Sequence, residues 1–291
     1  MALLKRALVA FALSLCAACQ RPPTQIELFD PRINVHALLR AGEDTVRVFV
    51  ARVDTRATDP SQSPLVPILN ARVRMAHGAD TTVLSARSHC VNTVVAFPAV
   101  PPNLNNGCYA GVVAGGVRSG ERYALLVEAD GERAHGEAVV PAQPVMRSPA
   151  AGITLHYTRP HRRDLVTSAL VHWSGTQPDQ RIDLSLRTVR RECDAIITTP
   201  TERFEFGTAR ISLTAVDTAT IAVWDVNCPD NTQSIFPAEL LLTAYDAAYT
   251  KYLMLTSPTL RPEAAAVGLT EGLGVFTAAA TVAVPITLVR R

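Results

Sequence analysis

The sequence lacks the short motifs that mark the commonest metal and hydrolase sites. Beyond residue 19 it has no Cys-x-x-Cys pair, and it has no His-Glu-x-x-His and no Gly-x-Ser-x-Gly anywhere. These absences argue against a zinc ribbon, a zinc protease and the common serine hydrolase, respectively. The sequence therefore predicts no metal site, no cofactor and no catalytic residue, and we expect a protein that is not an enzyme.

There is also no excess of charge of either sign. The chain of 291 residues has 28 basic and 26 acidic residues. Lys5 and Arg6 are the only charged residues among the first eighteen, so a chain that begins at residue 19 carries a formal net charge of zero. Because a general nucleic-acid binder needs a basic footprint, we expect no nucleic-acid partner.

Long apolar runs are absent as well, and the run near the N-terminus is too short to span a bilayer. Ala7–Leu15 would form a helix of about 13 Å at ~1.5 Å per residue, against a bilayer core of ~30 Å. The run follows Lys5 and Arg6 and precedes the small residues Cys16, Ala17 and Ala18. This is the three-part pattern of a secretory signal, so residues 1–18 are predicted to be a signal peptide.

The signal ends in a sequence that resembles a bacterial lipobox. Leu15-Cys16-Ala17-Ala18-Cys19 predicts cleavage before Cys19 and acylation of that cysteine. The usual residue three places before the cysteine is Leu, whereas Cys16 stands here, and the alternative is an ordinary signal peptide that is cleaved nearby. Each buried methylene contributes ~0.8 kcal/mol, so two or more fatty chains such as palmitate hold a protein at a membrane durably. Gln20 stands where Asp would favour the inner membrane, so we expect a lipid anchor in the outer membrane of the cell envelope, on its periplasmic side or at the cell surface.

The other cysteines fit an exported protein. Cys90, Cys108, Cys193 and Cys228 remain once Cys16 has left with the signal and Cys19 carries lipid. Sequential pairing, Cys90 with Cys108 and Cys193 with Cys228, is the simplest of the three connectivities that four cysteines allow. It would place one disulfide in each predicted domain, and each would stabilise its domain by roughly 3–4 kcal/mol on the chain-entropy model.

Period-two alternation of apolar and polar residues dominates the rest of the chain. It is clear in Ala71–Met75, Tyr123–Val127 and Ile182–Arg187, and Asp130-Gly131 marks a hairpin turn. Many short strands with hardly any helical pattern predict an all-β protein of two antiparallel, immunoglobulin-like β-sandwich domains. The predicted parts are a signal peptide (1–18), a tether (19–30), a first domain (31–143), a linker (144–151) and a second domain (152–291).

One short helix is expected in the second domain. Asp246 is a good N-cap residue for a helix from Ala247 to about Leu253, with Tyr249, Tyr252 and Leu253 on its inner side. Gly272-Leu273-Gly274 lacks the third glycine of a phosphate loop, and we expect it to be a tight turn where backbones approach closely. An apolar strand, Thr281–Val289, is predicted last.

Six segments of the chain carry a family resemblance: Asn70–Val73, Ser119–Leu125, Ala129–Gly131, Ala138–Pro141, Asp246–Leu253 and Gly272–Phe276. Together they resemble an uncharacterised family of bacterial lipoproteins, known only as domain of unknown function forty-two forty-nine. The first four are similar to its immunoglobulin-like or transthyretin-like N-terminal domain. The last two are similar to its tyrosine-bearing helix and its closing glycine–phenylalanine motif. The resemblance implies an envelope lipoprotein of a kind often found beside TonB-dependent outer-membrane transporters.

The leading hypothesis is a non-catalytic binding or accessory lipoprotein. It would use sandwich-end loops to bind a partner, such as that transporter, or a nutrient. The proline- and asparagine-rich stretch Phe97–Gly107 is a candidate recognition loop, and an exposed connection that needs a staple is the alternative. Two other classes stay open. One is an envelope hydrolase of peptide or glycan, whose carboxylate pair needs no sequence motif, and the other is a structural or adhesive surface module.

Overall fold

The computed structural model describes residues 32–53, 65–87, 107–158, 166–177, 180–189, 193–198, 210–227, 234–255 and 266–291. These residues form nineteen strands and one helix, so the all-β prediction is confirmed. Nine strands precede residue 150: β1 (Ile33–Arg40), β2 (Thr45–Val53), β3 (Leu65–Pro67), β4 (Arg72–His77), β5 (Asp80–Arg87), β6 (Cys108–Val112), β7 (Arg122–Ala129), β8 (Glu132–Val139) and β9 (Val145–Ser148). The remaining elements are β10 (Thr154–Tyr157), β11 (Ser168–Ser174), β12 (Arg181–Thr188), β13 (Asp194–Thr198), β14 (Arg210–Thr214), β15 (Thr218–Asn227), β16 (Ile235–Tyr245), α1 (Ala247–Leu255), β17 (Ala266–Val267), β18 (Leu269–Thr270) and β19 (Leu273–Arg290).

Two layers of strands enclose a first hydrophobic core. In one layer β1 lies between β2 and β19, and β2 also pairs with β3 and β6. In the other the order is β5–β4–β7–β8, with the short β18 beside β8. β5 connects the layers, because its last residues pair with β6. Side chains from both layers meet in one buried cluster, which includes Val48, Met75, Tyr123 and Phe276.

A second core has the same two-layer construction. One layer has the order β14–β12–β16–β19–β10, and the other has the order β9–β11–β15–β13. The inward residues of both layers form a second buried cluster, which includes Trp173, Leu184, Val223 and Leu288. Strict alternation along β11 points Ala169, Val171 and Trp173 into this core.

Strand β19 belongs to both cores. Its 18 residues span about 60 Å at ~3.3 Å per residue. Its first part, Leu273–Ala279, pairs with β1, and Ala279–Val289 pairs with β16. Phe276 lies in the first core, whereas Leu288 lies in the second. The two cores are therefore joined by a continuous backbone rather than by a loop alone.

The strand pairing departs from the antiparallel expectation on β19. Strands β1, β10 and β17 each pair with it in parallel. Parallel neighbours need a long connection, and β1 and β19 are separated by most of the chain, so no hairpin fixes their relative direction. The predicted linker, residues 144–151, contains strand β9, and residues 273–279 complete the first core. The sequence predicted only the later part of β19 and placed a turn in its first residues; the division into two domains at the linker stays a prediction.

Two tyrosine hydroxyls fix loops of the first core. The Tyr123 hydroxyl accepts a hydrogen bond from the Arg118 amide at 2.9 Å and donates to the Gly116 carbonyl at 3.4 Å. This is the kind of contact that a tyrosine corner makes in immunoglobulin-like sandwiches. The Tyr109 hydroxyl accepts from the Ala71 amide and donates to the Ile68 carbonyl, both at 2.8 Å. The connection from β3 to β4 is therefore held firmly.

Candidate functional site

A buried carboxylate lies on the outer face of strand β12. Asp183 is 2% exposed, although its neighbours Ile182 and Leu184 point the other way into the second core. Arg181 Nε donates to its Oδ1 at 3.0 Å, and Arg210 Nη1 donates to its Oδ2 at 3.3 Å. Arg181 also donates to the Ser212 hydroxyl. Two guanidinium groups thus compensate one buried carboxylate, and they tie edge strand β14 to β12.

Two stacked tyrosines cover this carboxylate from the side of helix α1. The ring centroids of Tyr245 and Tyr249 are 4.1 Å apart, and both residues are buried. Burial raises the pKa of both phenols above the usual value of 10.0, so both are neutral at physiological pH. With Leu38 and Ala279 they form a small third cluster between helix α1 and strands β1 and β19. The arrangement fixes the helix against the sheet.

Asp246 joins the same helix to strand β19. Its Oδ1 accepts the Tyr249 amide at 2.9 Å, as an N-cap does, and also the Thr277 hydroxyl. Its Oδ2 accepts the Ala278 amide at 2.9 Å. Burial raises the pKa of this carboxyl from 3.8 to about 6, although the three hydrogen bonds act in the opposite direction. The predicted cap and the inward positions of Tyr249 and Tyr252 are confirmed.

A shallow groove crosses the outer face of the layer β4–β7–β8. It encloses about 300 Å³, at the low end of the ~300–1,000 Å³ of ligand pockets. Ala76 and Ala124 lie side by side in it, and Arg74, His135 and Glu137 are among the residues around them. Arg74 is held by Glu128 at 2.9 Å and Glu137 by Arg122 at 2.5 Å. The groove can therefore accept a small apolar group between charges that are already paired.

His36 is the most deeply buried histidine of the described residues. It is 1% exposed on β1, and its ring centroid lies 6.1 Å from that of Phe49. Burial lowers its pKa from 6.5 to about 4, so the ring is neutral at physiological pH. Burial thus shifts the pKa of both His36 and Asp246.

The cysteines predicted as site residues are only partly described. Cys19, Cys90 and Cys228 lie outside the described residues, and so does most of the candidate loop Phe97–Gly107. Cys108 is 1% exposed at the start of β6, and Cys193 is 5% exposed within the second core. The sequential pairing stays a prediction.

Sequence reasoning missed the Asp183 cluster. The alternation Ile182–Asp183–Leu184 predicted that the Asp183 side chain points away from the core, which is correct. It also predicted that the carboxylate is exposed, which is wrong. Asp183 is buried because β14 brings Arg210 beside it, and because helix α1 covers the same face. No signal in the sequence gives the register between β12 and β14, so only the pairing itself could reveal this site.

The described part of the chain holds no group of three or more His, Cys, Asp or Glu residues that could bind a metal ion. Within that same part, no helix is long and apolar enough to cross a membrane.

Comparisons with known proteins show no family for this chain. No family model and no curated protein matches the chain. Among solved structures, it is similar to one titled "Anomalous substructure of Titin-A168169", with 9% identity, coverage of 90% of this chain and 97% of that chain, and a TM-score of 0.19. A chimeric titin Z1Z2–Z1Z2 tandem has 11% identity, coverage of 90% and 98%, and a TM-score of 0.23. At these scores the likeness carries no argument about function.

Proposed function

We propose that the chain is a lipoprotein of the bacterial cell envelope that acts as a non-catalytic binding or accessory module. The observation that carries the proposal is Leu15-Cys16-Ala17-Ala18-Cys19, which follows a basic and then an apolar segment. Cys19 is the acylated residue, and its fatty chains are the contact with the membrane. Gln20 in the second position favours the outer membrane.

The position of strand β1 supports an anchor that bears load. β1 begins at Ile33, fourteen residues after Cys19. It is hydrogen-bonded to β2 on one side and to β19 on the other, so it is a central strand. A pull on the anchor would therefore act on a strand that is paired on both edges.

The cysteines of the folded part are proposed to pair within each core, Cys90 with Cys108 and Cys193 with Cys228. Cys108 and Cys193 are both disulfide-bonded, which supports the pairing. Cys193 belongs to the second core, whereas Cys108 pairs with Phe49 of β2 beside the first. Disulfides of this kind fit an oxidising compartment outside the cytoplasm.

The proposed partner is an outer-membrane transporter of the TonB-dependent kind, bound through the surface of the sandwiches. The groove between Ala76, Ala124 and His135 is a depression that a partner side chain could fill. Arg74 and Glu137 beside the groove already form ion pairs with Glu128 and Arg122. An apolar group could therefore enter the groove without breaking either ion pair.

Metabolic labelling with an alkyne fatty acid tests the anchor. The chain is expressed in a bacterium with an envelope, and the labelled protein is detected after click chemistry. We expect label on the unaltered chain and on Cys16→Ser, and none on Cys19→Ser. Equal labelling of Cys16→Ser and Cys19→Ser, or no label on the unaltered chain, would reject acylation at Cys19.

A pull-down from detergent-solubilised envelopes tests the accessory role. We expect the unaltered chain to recover a transporter. Ala124→Arg fills the groove and should abolish recovery, whereas Val139→Arg places the same side chain on exposed strand β8 outside it and should retain recovery. Failure of the unaltered chain to recover any transporter would end the accessory proposal.

A further inference from the structure

Two exposed aliphatic side chains lie at the end of the first core where the chain begins strand β1. Val66 is 50% exposed and Leu69 is 62% exposed, whereas Leu65 before them and Ile68 between them are buried. The buried pair holds the segment to the core, and the exposed pair points away from it. A single exposed aliphatic residue is ordinary, whereas adjacent exposed aliphatic residues are typical of a surface that contacts another molecule or a membrane.

The segment that carries them is rigid. The Ile68 amide donates to the Val50 carbonyl at 3.0 Å, and the Ile68 carbonyl accepts the Tyr109 hydroxyl at 2.8 Å. The same hydroxyl accepts the Ala71 amide. Val66 and Leu69 are therefore displayed on a fixed backbone, and their exposure is a property of the folded protein.

The register places this segment next to the start of the folded chain. Ile33 pairs with Arg52, and Arg52 pairs with Val66 on its other side. Neighbouring strands are ~4.8 Å apart, so Val66 lies about 10 Å from the first residue of β1. Ile33 is the fourteenth residue after Cys19, so the two residues are at most about 50 Å apart when the chain between them is fully extended. This end of the molecule is thus the one that the tether holds nearest to an anchored lipid.

Charged groups at this end of the first core form ion pairs with one another. Arg52 Nη1 lies 3.1 Å from Glu132 Oε1, and its Nη2 lies 3.6 Å from Asp130 Oδ2. Asn70 Nδ2 donates to Asp130 Oδ1 at 3.4 Å. These ion pairs offset part of the cost of bringing the charged groups at this end close to an apolar surface.

We infer that Val66 and Leu69 form a membrane-facing tip, which inserts at the boundary between headgroups and acyl chains of the bilayer that holds the anchor. The inference rests on the proposed acylation of Cys19 and deepens it, because it assigns an orientation to the folded part. The first core would face the membrane, and the C-terminal end of β19 in the second core would be directed away from it.

Depth-dependent quenching on the acylated full-length chain tests the tip. Leu69→Cys and, as a matched control, Leu170→Cys on strand β11 are each labelled with an environment-sensitive fluorophore; the two leucines are 62% and 57% exposed. The labelled proteins are reconstituted in phosphatidylethanolamine–phosphatidylglycerol vesicles that contain a lipid-borne quencher. We expect quenching at position 69 to exceed that at position 170 by roughly twofold or more, since interfacial groups enter ~5–10 Å into the bilayer. A Val66→Ser background should reduce the signal at position 69.

Mass spectrometry of the same samples separates the inference from the function on which it rests. Acylated protein whose two positions are quenched equally, or not at all, overturns the tip and leaves the anchor intact. Protein without acyl chains overturns both. Shielding of position 69 that grows with protein concentration in the absence of vesicles would mean that a second copy of the chain covers this end, which also overturns the tip.

Discussion

Gly274 shows how a single residue allows two strands to lie side by side. It has a φ of 94° in strand β19, and a Cβ placed on it would lie 2.1 Å from the Val35 carbonyl oxygen. Only glycine avoids both the unfavourable φ and the backbone collision. The close approach expected of Gly272–Gly274 is therefore confirmed, although Gly274 lies within a strand rather than in a free turn.

Replacing Gly274 should lower the free energy of unfolding by more than its backbone conformation alone accounts for. Gly274→Ala is expected to destabilise the protein well beyond the ~1–2 kcal/mol of a left-handed backbone, because the methyl group must displace the main chain of β1. Gly131→Ala is the matched control, since Gly131 has a φ of 82° and open space around it. Urea unfolding of both variants measures the difference. Equal losses would show that the strands do not approach as closely as described.

His36 makes stability depend on pH. Its folded pKa of about 4 lies below the unfolded value of 6.5. Its contribution is therefore fully present above pH 6.5 and is lost as the pH falls through 4, by about 3 kcal/mol in total. In urea unfolding between these pH values, the stability of the unaltered chain relative to His36→Gln should fall by that amount, because the other titrating groups are common to both proteins.

The control for His36 is a histidine on the surface. His135→Gln makes the same substitution at a histidine whose side chain is 47% exposed, and its unfolding is measured alongside. If His36→Gln and the unaltered chain lost stability in parallel, the neutral buried ring would not be the cause.

At the scale of elements, helix α1 depends on one carboxylate. The folded pKa of Asp246, about 6, lies above its unfolded value of 3.8. The ionised form is thus the disfavoured one in the fold. The stability of the unaltered chain relative to Asp246→Asn should therefore be highest below about pH 4 and fall by up to about 3 kcal/mol as the pH rises through 6.

Asp246→Ala completes that test. Asn retains an acceptor for the Tyr249 amide, whereas Ala removes it and should cost a further ~0.5–2 kcal/mol at any pH. Parallel pH profiles for the unaltered chain and Asp246→Asn would contradict the burial of the charge. Similar stabilities for Asn and Ala would contradict the cap.

Local patterns in the sequence predicted the elements that depend on neighbours along the chain. The β7–β8 hairpin follows from Asp130-Gly131, whose φ values of 52° and 82° suit a type I′ turn. The helix follows from Asp246 and its two tyrosines. Contacts between distant strands could not be read in this way. The burial of Asp183 depends on Arg210 of a neighbouring strand, and the parallel pairing of β1 with β19 joins the two ends of the folded chain.

At the scale of the whole molecule, strand β19 couples the two cores. Phe276→Ala should remove roughly 3–5 kcal/mol from the first core, and the loss should reach the second core through the shared backbone. Hydrogen exchange of the β12 amides should therefore accelerate together with that of the β7 amides. Unchanged protection of β12 would show that the cores unfold independently.

The all-β class was predictable from period two because strands such as β7, β8 and β11 bury one face. The division into cores was harder to foresee, because a strand shared by both has no signature of its own. Leu273–Ala280 is buried on both faces, and only the later part of β19 alternates in exposure. A continuous apolar run of this kind predicts burial without showing what lies on either side.

Mass spectrometry of the N-terminal peptide from purified envelopes shows directly whether residue 19 is acylated. We predict a peptide that begins at Cys19 and carries the mass of a diacylglycerol group on sulfur. A peptide that retains Met1, or one that contains Cys19 as an unmodified thiol, would contradict the account.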